Sequence, residues 1–201
     1  MCIKIWMKNL AMEYVYEAHD IVPREMCQEI IEKFENDPDK VGGKINDDVV
    51  CDFFKKTTDL GFSNKSEWKI IDDQLSRYLL LGLQKYFDYL LKNVFNGDDH
   101  YILQKIFGDN INVTHFQIQR YKVGDYFKWH VDEALNIKRL LAFIIYLNDN
   151  ESGTEFINGK NIKPEYGKIL FFPSTWTYPH QGQEVKKGVK YVITGFICEC
   201  V

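Results

Sequence analysis

The chain has 201 residues and a formal net charge of -4 at pH 7, with 45% hydrophobic and 15% aromatic residues. This length suits one domain with a sizeable core, and this composition excludes a disordered chain. The acidic balance, with a pI near 5.8, disfavours nucleic acid as a partner, because proteins that bind it usually carry a basic face. No window approaches 18 uncharged apolar residues, and Met1–Met12 lacks the apolar core of a signal peptide. We therefore expect a cytoplasmic protein with no membrane partner.

The first 40 residues are predicted to hold a strand and a helix. Glu13–Asp20 alternates as a strand does, and the helix begins near Pro23, since proline suits an early helical position. Asn36-Asp37-Pro38 ends the helix. Its apolar stripe consists of Met26, Ile30, Ile31 and Phe34.

A longer helix is predicted over Ser66–Leu91. Ser66 is a suitable N-cap, and apolar residues recur at helical spacing from Trp68 to Tyr86. Because Leu79–Leu83 is apolar all round, we expect this helix to lie deep against a sheet. Residues 96–110 are predicted to form a loop with a short strand.

The segment between the two helices, residues 41–66, is poorly periodic. It contains Gly42-Gly43, and Cys51–Thr57 can supply a short strand. The segment is a candidate substrate loop that closes over a site. An ordinary surface loop is the alternative interpretation.

The C-terminal half is predicted to be all β. Strand patterns cover Val113–Tyr121, Leu140–Leu147, Lys168–Pro173 and Val189–Ile197. Asn158-Gly159 between Glu-Phe-Ile and Lys-Asn-Ile is the sequence signal of a type I′ hairpin.

Two histidines and one aspartate stand beside these strands. His130 and Asp132 are two residues apart, so on a strand they share a face, and His180 arrives from another strand. Two imidazoles and one carboxylate are the ligand set that holds non-haem Fe(II) on one side and leaves the other side open. Lys190, ten residues after His180, adds a positive charge that suits an anionic co-substrate such as 2-oxoglutarate. The pattern leaves open which face of its strand points inward.

Short strands with a metal site between them predict a double-stranded β-helix, a cupin-like jelly roll, so the class is mainly β with bracing helices. We expect a single domain over 1–201. Within it, residues 20–95 would give N-terminal helical support and include the candidate substrate loop at 41–66. Residues 110–200 would form the catalytic core.

Four motifs together resemble the Fe(II)/2-oxoglutarate dioxygenases of the prolyl 4-hydroxylase type. The resemblance covers residues 110–200 closely, while 20–95 match only in pattern. The motifs are Tyr121-Lys-Val-Gly-Asp-Tyr-Phe-Lys-Trp-His130-Val-Asp132, Arg139 with Tyr146-Leu-Asn, Gly153-Thr154-Glu-Phe156, and His180-Gln-Gly with Gly188-Val-Lys190-Tyr.

This resemblance implies a role for each matched residue. The iron ligands would be His130, Asp132 and His180. The residues at 2-oxoglutarate would be Lys190, Tyr121, Tyr146 and Thr154, and the alternative for each of the last three is a core residue. The substrate would be oriented by Arg139, and Trp129 and Trp176 would line its groove.

The implied activity is hydroxylation of a prolyl residue in a peptide or protein, with succinate and CO2 as co-products. The implied cofactors are Fe(II), 2-oxoglutarate and O2, and the resemblance allows ascorbate as a reductant. Hydroxylation of a small molecule or free amino acid is the first alternative, because it uses the same ligands. A non-catalytic jelly-roll binding module is the second, and the intact ligand set disfavours it.

Overall fold

The computed structural model describes residues 13–45, 49–95, 100–134 and 137–199. Its helices are α1 (Arg24–Asn36), α2 (Lys69–Tyr89) and α3 (His100–Phe107), with a 3-10 turn at Ser66–Trp68 and a π turn at Leu90–Val94. Its strands are β1 (Tyr16–Ala18), β2 (Val41–Gly42), β3 (Lys44–Ile45), β4 (Val49–Val50), β5 (Lys55–Lys56), β6 (Thr58–Gly61), β7 (Ile111–Val113), β8 (Gln117–Tyr121), β9 (Tyr126–His130), β10 (Arg139–Tyr146), β11 (Thr154–Phe156), β12 (Asn161–Ile162), β13 (Ile169–Pro173), β14 (His180–Gly182) and β15 (Lys190–Glu199).

Two antiparallel sheets make up the body of the molecule. The major sheet runs β1-β13-β10-β15-β8-β6-β2, and β7 also pairs with β15. The minor sheet runs β12-β11-β14-β9-β5, while β3 and β4 form a separate hairpin. The prediction of a mainly β protein with bracing helices is confirmed. No helix in the described part of the chain combines the length and apolar character that a membrane crossing requires.

The major sheet buries both of its faces, each in a different core. One face packs on the helices and contributes residues such as Phe143, Phe171 and Ile193 to the helix-side core. The other face, with residues such as Tyr146, Phe172 and Val192, meets the minor sheet in the inter-sheet core. Alternate residues of β10, β13 and β15 therefore serve different cores. This explains why these strands read as almost continuous apolar runs.

Helix α2 approaches the sheet closely at Gly82. A Cβ atom built there would lie 3.2 Å from side-chain carbons of Ile169 and Phe171. The absence of a side chain at Gly82 therefore lets the helix pack closely on the sheet, and this outweighs the low helix propensity of glycine. The expectation that this helix lies against a sheet is confirmed, although its outer face is open to solvent, where Leu80 and Leu81 are each 58% exposed.

Three local predictions need correction. Ser66 is not an N-cap, because it already lies in a 3-10 turn and makes no side-chain capping bond there. Residues within 96–110 form α3, so the prediction of a loop missed a helix. The β11–β12 hairpin exists, but its turn is not type I′. Gly159 has a positive φ of 89°, whereas Asn158 does not, and the Gly159 amide donates to the Phe156 carbonyl. A type I turn followed by a left-handed glycine fits this pattern.

The segment 41–66 is more structured than its sequence suggests. Its C-terminal part joins both sheets, since β5 pairs with β9 of the minor sheet and β6 pairs with β8 of the major sheet. Its N-terminal end, β2, also pairs with β6 of the major sheet, and the β3–β4 hairpin lies outside the two sheets.

A buried ion pair lies where this segment crosses from one sheet to the other. Lys55 on β5 and Asp59 on β6 are 3% and 1% exposed, and Nζ lies 2.6 Å from Oδ2. Thr57 donates to the second carboxylate oxygen at 2.7 Å. Burial still raises the pKa of Asp59, against the opposing effects of Lys55 and Thr57. The pair thus links the two sheets at a considerable desolvation penalty.

We predict that Asp59→Ala lowers the free energy of unfolding by about 3–5 kcal/mol, because it leaves the Lys55 ammonium buried without its counter-charge. Replacing both residues, as Lys55→Met with Asp59→Leu, should recover most of that loss. Urea denaturation measures both values. The exposed pair of Lys69 and Asp73, 3.2 Å apart, is the matched control, and Asp73→Ala should change stability by less than about 1 kcal/mol. Equal losses in the two single variants would contradict the prediction.

Candidate metal centre

The three predicted metal ligands lie together at one end of the minor sheet. His130 ends β9 and His180 begins β14, and the two residues are direct antiparallel partners. Asp132 lies two residues beyond the end of β9. One ligand atom from each of the three lies within 4.8 Å of the others, and no other such cluster of His, Cys, Asp or Glu occurs among the described residues.

Hydrogen bonds fix how both histidines present their rings. His130 Nδ1 lies 2.7 Å from the Lys128 carbonyl, and His180 Nδ1 lies 3.1 Å from the Tyr178 carbonyl. A carbonyl oxygen only accepts, so each Nδ1 must carry the hydrogen. Each Nε2 therefore presents a lone pair, at 3.7 Å (His130) and 3.6 Å (His180) from an oxygen of Asp132. This arrangement is typical of histidines that bind a metal.

A bulge in β9 brings Phe127 onto the same side as His130. Phe127 pairs with Gly182 and His130 pairs with His180, so β9 has one residue more than β14 between these pairs. Side chains three residues apart can then share a face. The rings of Phe127 and His130 stack at 3.6 Å between centroids. Phe127 could not be predicted at this site from the sequence, because in a regular strand residues three apart lie on opposite faces.

The electrostatics of the cluster favour a bound cation. Burial, together with the nearby His180, lowers the pKa of His130 to about 3, so its ring stays neutral at physiological pH. Burial raises the pKa of Asp132, although His180, Arg139 and Lys55 act in the opposite direction. A carboxylate in this position is poorly solvated, and a divalent cation would stabilise its ionised form. The donor set, two neutral imidazoles and one carboxylate, fits Fe(II).

Lys190 points into the inter-sheet core. The sequence left open which face of β15 points toward the metal cluster, and the structure shows that it is the face that carries Lys190. It is 2% exposed, and burial lowers the pKa of its ammonium to about 7. Its Nζ lies 4.2 Å from the centroid of the Tyr121 ring. Within the described ranges, no carboxylate forms an ion pair with it. An anionic ligand would therefore have an unopposed positive charge to bind.

The other three residues predicted at the co-substrate lie around the same core. Tyr121 and Tyr146 belong to it directly. Tyr146 donates its hydroxyl to Thr154 Oγ1 at 2.8 Å. Tyr121 donates its hydroxyl to Gln119 Oε1 at 2.8 Å, and the Gln119 amide in turn bonds to Thr194. These hydroxyl and amide groups add polar atoms to an otherwise apolar core, and Tyr121 is the one whose ring lies beside Lys190.

Arg139 lies at the metal cluster and also contacts its backbone. Its Nη1 donates to the Asp132 carbonyl oxygen at 3.0 Å, and its guanidinium lies 3.8 Å over the Phe196 ring. Arg139 therefore fixes the turn that carries a metal ligand. Trp129 and Trp176 are 42% and 69% exposed, so both are available to a ligand at the surface.

We predict that Asp132→Ala and His180→Ala abolish binding of one Mn2+ per chain in anaerobic calorimetric titrations, because each removes a donor atom from the cluster. Far-UV circular dichroism should remain native. His115→Ala is the control, since His115 is exposed and bonded to Asn64 away from the cluster. Tight, stoichiometric Mn2+ binding by the Asp132→Ala protein would rule out this metal centre.

Comparisons with solved structures find the same fold in prolyl hydroxylases. A viral collagen prolyl hydroxylase from Paramecium bursaria Chlorella virus 1, in its 2OG complex, is 20% identical over 93% of this chain and 97% of that chain, with a TM-score of 0.62. A Trichoplax adhaerens prolyl hydroxylase, in complex with a hypoxia inducible factor peptide fragment, is 13% identical over 96% and 87%, with a TM-score of 0.69. A Pseudomonas putida prolyl-4-hydroxylase is 12% identical over 98% of both chains, with a TM-score of 0.66.

At these identities the likeness establishes the fold, and the predicted double-stranded β-helix is confirmed. A comparison with curated proteins found no match. Residues 116–198 match the family model described as the 2OG-Fe(II) oxygenase superfamily. That range contains His130, Asp132, His180 and Lys190. Residues 116–198, which contain the strands that hold the metal cluster, are therefore identified as a region of the 2OG-Fe(II) oxygenase superfamily.

Proposed function

We propose that this protein hydroxylates a prolyl residue in a peptide or protein, with Fe(II), 2-oxoglutarate and O2. One observation carries the co-substrate part of this proposal. Lys190 is buried beside Tyr121 of the inter-sheet core and forms no ion pair with any residue that the structure describes, and the same chain carries a cluster of two histidines and one aspartate. The first group suits a dicarboxylate and the second suits a divalent metal.

In this proposal His130, Asp132 and His180 hold the iron. Their Nδ1 bonds keep both Nε2 lone pairs directed at one point, and the side chains are 19%, 15% and 5% exposed. The cluster is therefore most accessible beside His130 and Asp132. When bound, iron and 2-oxoglutarate supply the oxidising chemistry that puts one oxygen atom of O2 into a C–H bond, with succinate and CO2 as co-products.

The co-substrate would lie between the cluster and Lys190. Its distal carboxylate would pair with the Lys190 ammonium and accept a hydrogen bond from the Thr154 hydroxyl, which Tyr146 orients by donating to Thr154 Oγ1. Tyr121 would line the same space, with its ring against Lys190. The hydrogen bond between Tyr146 and Thr154 holds both hydroxyls in place before any ligand arrives, which reduces the entropy lost on binding.

The substrate would enter at the exposed side of the cluster. Arg139 would orient it, and Trp129 and Trp176 would supply flat apolar surface for a proline ring. Phe53 and Phe54 add exposed apolar surface next to β9, since the Lys128 amide donates to the Phe54 carbonyl at 2.9 Å. The segment 41–66 therefore provides surface suited to a peptide. The Trichoplax adhaerens relative in complex with a peptide fragment supports this class of substrate.

A free amino acid or other small molecule is the second candidate substrate, because the same metal and co-substrate residues would serve it. The cluster and Lys190 disfavour a non-catalytic binding module.

We also propose a cytoplasmic location, which the free thiols of Cys27, Cys51 and Cys198 support.

We predict that 2-oxoglutarate binding takes up nearly one proton at pH 8. Lys190 is mostly neutral there, because its pKa is about 7 in the free protein, and a carboxylate beside it would raise that pKa well above 8, back toward the usual range of a lysine. Calorimetry in buffers of different ionisation enthalpy, with Mn2+ in the metal site, measures the uptake. Lys190→Met should abolish it and weaken binding by roughly 30-fold or more. Proton uptake that survives this substitution would show that another group binds the carboxylate.

We predict a gain of one oxygen atom on proline within a peptide. The assay measures succinate from 2-oxoglutarate against a panel of proline-containing peptides and free amino acids, with ascorbate as reductant, and mass spectrometry locates the added oxygen. His130→Ala protein is the control for non-enzymatic oxidation. Robust turnover of free proline with inert peptides would support the second candidate and contradict the peptide proposal.

A further inference from the structure

The side chain of Gln119 connects three polar groups on the inter-sheet face of the major sheet. Its Oε1 accepts the Tyr121 hydroxyl at 2.8 Å. Its Nε2 donates to Gln117 Oε1 at 3.0 Å and to Thr194 Oγ1 at 3.2 Å. Gln119 is only 5% exposed. Because an amide nitrogen carries two hydrogens, both donors of Gln119 are used, and its orientation is fixed from both ends.

The direction of these hydrogen bonds decides which hydroxyl remains available to a ligand. A hydroxyl group has one hydrogen, and Tyr121 donates its hydrogen to Gln119. Thr194 instead accepts from Gln119, so its own hydrogen is not used in that bond. No residue in the described ranges accepts it. Of the two hydroxyls, that of Thr194 is therefore the one that can donate to a ligand.

Thr194 lies between Lys190 and the metal cluster along β15. Thr194 and Lys190 are four residues apart on this strand, so their side chains share a face. Phe196, the next residue on that face, lies 3.8 Å beneath the Arg139 guanidinium, which bonds to the Asp132 carbonyl. The face therefore leads from the buried ammonium to the backbone of a metal ligand, and Thr194 occupies the intervening position.

The space above Thr194 is open to solvent. Thr194 pairs with Ile144 of β10 and with Gln117 of β8, and all three residues are half-buried. Since β15 is paired on both sides here, the exposed part of Thr194 is its side chain on the inter-sheet face. The neighbouring row toward Lys190 is buried; it consists of Tyr146, Val192 and Gln119. A ligand that enters from solvent therefore meets the Thr194 hydroxyl before it reaches Lys190.

We propose that Thr194 binds the carboxylate next to the keto group of 2-oxoglutarate, and that Gln119 is a positioning residue that directs the Thr194 hydroxyl to it. The inference rests on the proposed function, in which the distal carboxylate lies at Lys190. The other end of the molecule then lies further along β15, toward the metal cluster. A carboxylate there only accepts hydrogen bonds, and the Thr194 hydroxyl has the free hydrogen. Tyr121, whose hydrogen is used by Gln119, contributes its ring.

Three ligands separate the two ends of the co-substrate. 2-Oxopentanoate keeps the keto acid end of 2-oxoglutarate and lacks the distal carboxylate. 4-Oxopentanoate keeps the ketone and the distal carboxylate and lacks the carboxylate next to the keto group. Calorimetry with Mn2+ in the metal site measures the Kd of 2-oxoglutarate directly and the Kd of each analogue by competition with it.

The substitution Thr194→Val removes the hydroxyl and keeps the branched shape of the side chain. It should weaken the binding of 2-oxoglutarate and of 2-oxopentanoate by about tenfold or more, the effect of one lost hydrogen bond to a charged group. Binding of 4-oxopentanoate should stay the same. Thr194→Ser, which keeps the hydroxyl, should bind all three ligands with close to natural affinity.

Gln119→Met should show the same pattern among the ligands with a smaller loss, about threefold, because the hydroxyl remains but is no longer held. Thr58→Val is the matched control. Thr58 is also a half-buried strand threonine whose hydroxyl accepts a side-chain N–H, from Arg120 Nη2 at 3.2 Å. Its neighbour Asp59 points between the sheets, so Thr58 points toward the helices. That variant should leave the Kd of every ligand unchanged.

Equal losses for all three ligands in Thr194→Val would show a structural role and overturn the inference. Natural affinity for 2-oxoglutarate in Thr194→Val, with weak binding in Lys190→Met, would overturn the inference and leave the proposed co-substrate in place. A Gln119→Met protein with natural affinity would overturn the positioning role of Gln119. If the natural protein binds none of the three ligands, the proposed function fails together with the inference.

Discussion

The space between the two sheets holds ionisable groups that are largely shielded from water. Among the described residues, Lys190 forms no ion pair there and Asp132 lies within ion-pair distance only of two histidines. Burial raises the pKa of Asp132 and lowers the pKa of Lys190, so each group pays a desolvation penalty for its charged form. Where the same interior contains a balanced pair, as at Lys55 and Asp59, the two groups are in direct contact. A cation at the Asp132 carboxylate and an anion at the Lys190 ammonium would each supply the missing counter-charge. Fe(II) and 2-oxoglutarate, which the superfamily name contains, carry charges of these signs.

Strand irregularities place the side chains that this arrangement needs. A regular β9 would separate Phe127 from His130 onto opposite faces, and a regular β10 would direct Arg139 toward the helices. One extra residue in each strand reverses the alternation, so that Phe127 stacks on His130 and Arg139 bonds to the Asp132 backbone. Bulges are common beside active sites for this reason. The helices and the Lys55–Asp59 pair then support the sheets that carry these irregular strands.

The sequence predicted the features that depend on residue type and regular spacing. The ligand cluster, the helices α1 and α2 and the strands of the C-terminal half follow from such patterns. It could not predict features that depend on tertiary contacts. The direction of Lys190 was open because both faces of β15 are apolar, and the strand has a buried core on each side. The burial of Lys55 and Asp59 gave no signal, because charged residues at this spacing usually lie in solvent. Helix α3 was missed in a segment with no clear periodicity.

Diffraction from crystals grown with Mn2+ and 2-oxoglutarate would locate the metal and the co-substrate relative to the cluster and Lys190. We expect one anomalous peak from Mn2+, within bonding distance of His130 Nε2, His180 Nε2 and an oxygen of Asp132. We also expect density for 2-oxoglutarate that ends in a carboxylate against Lys190 Nζ. A metal peak away from these three residues, or a bound 2-oxoglutarate with Lys190 still unpaired, would contradict this arrangement.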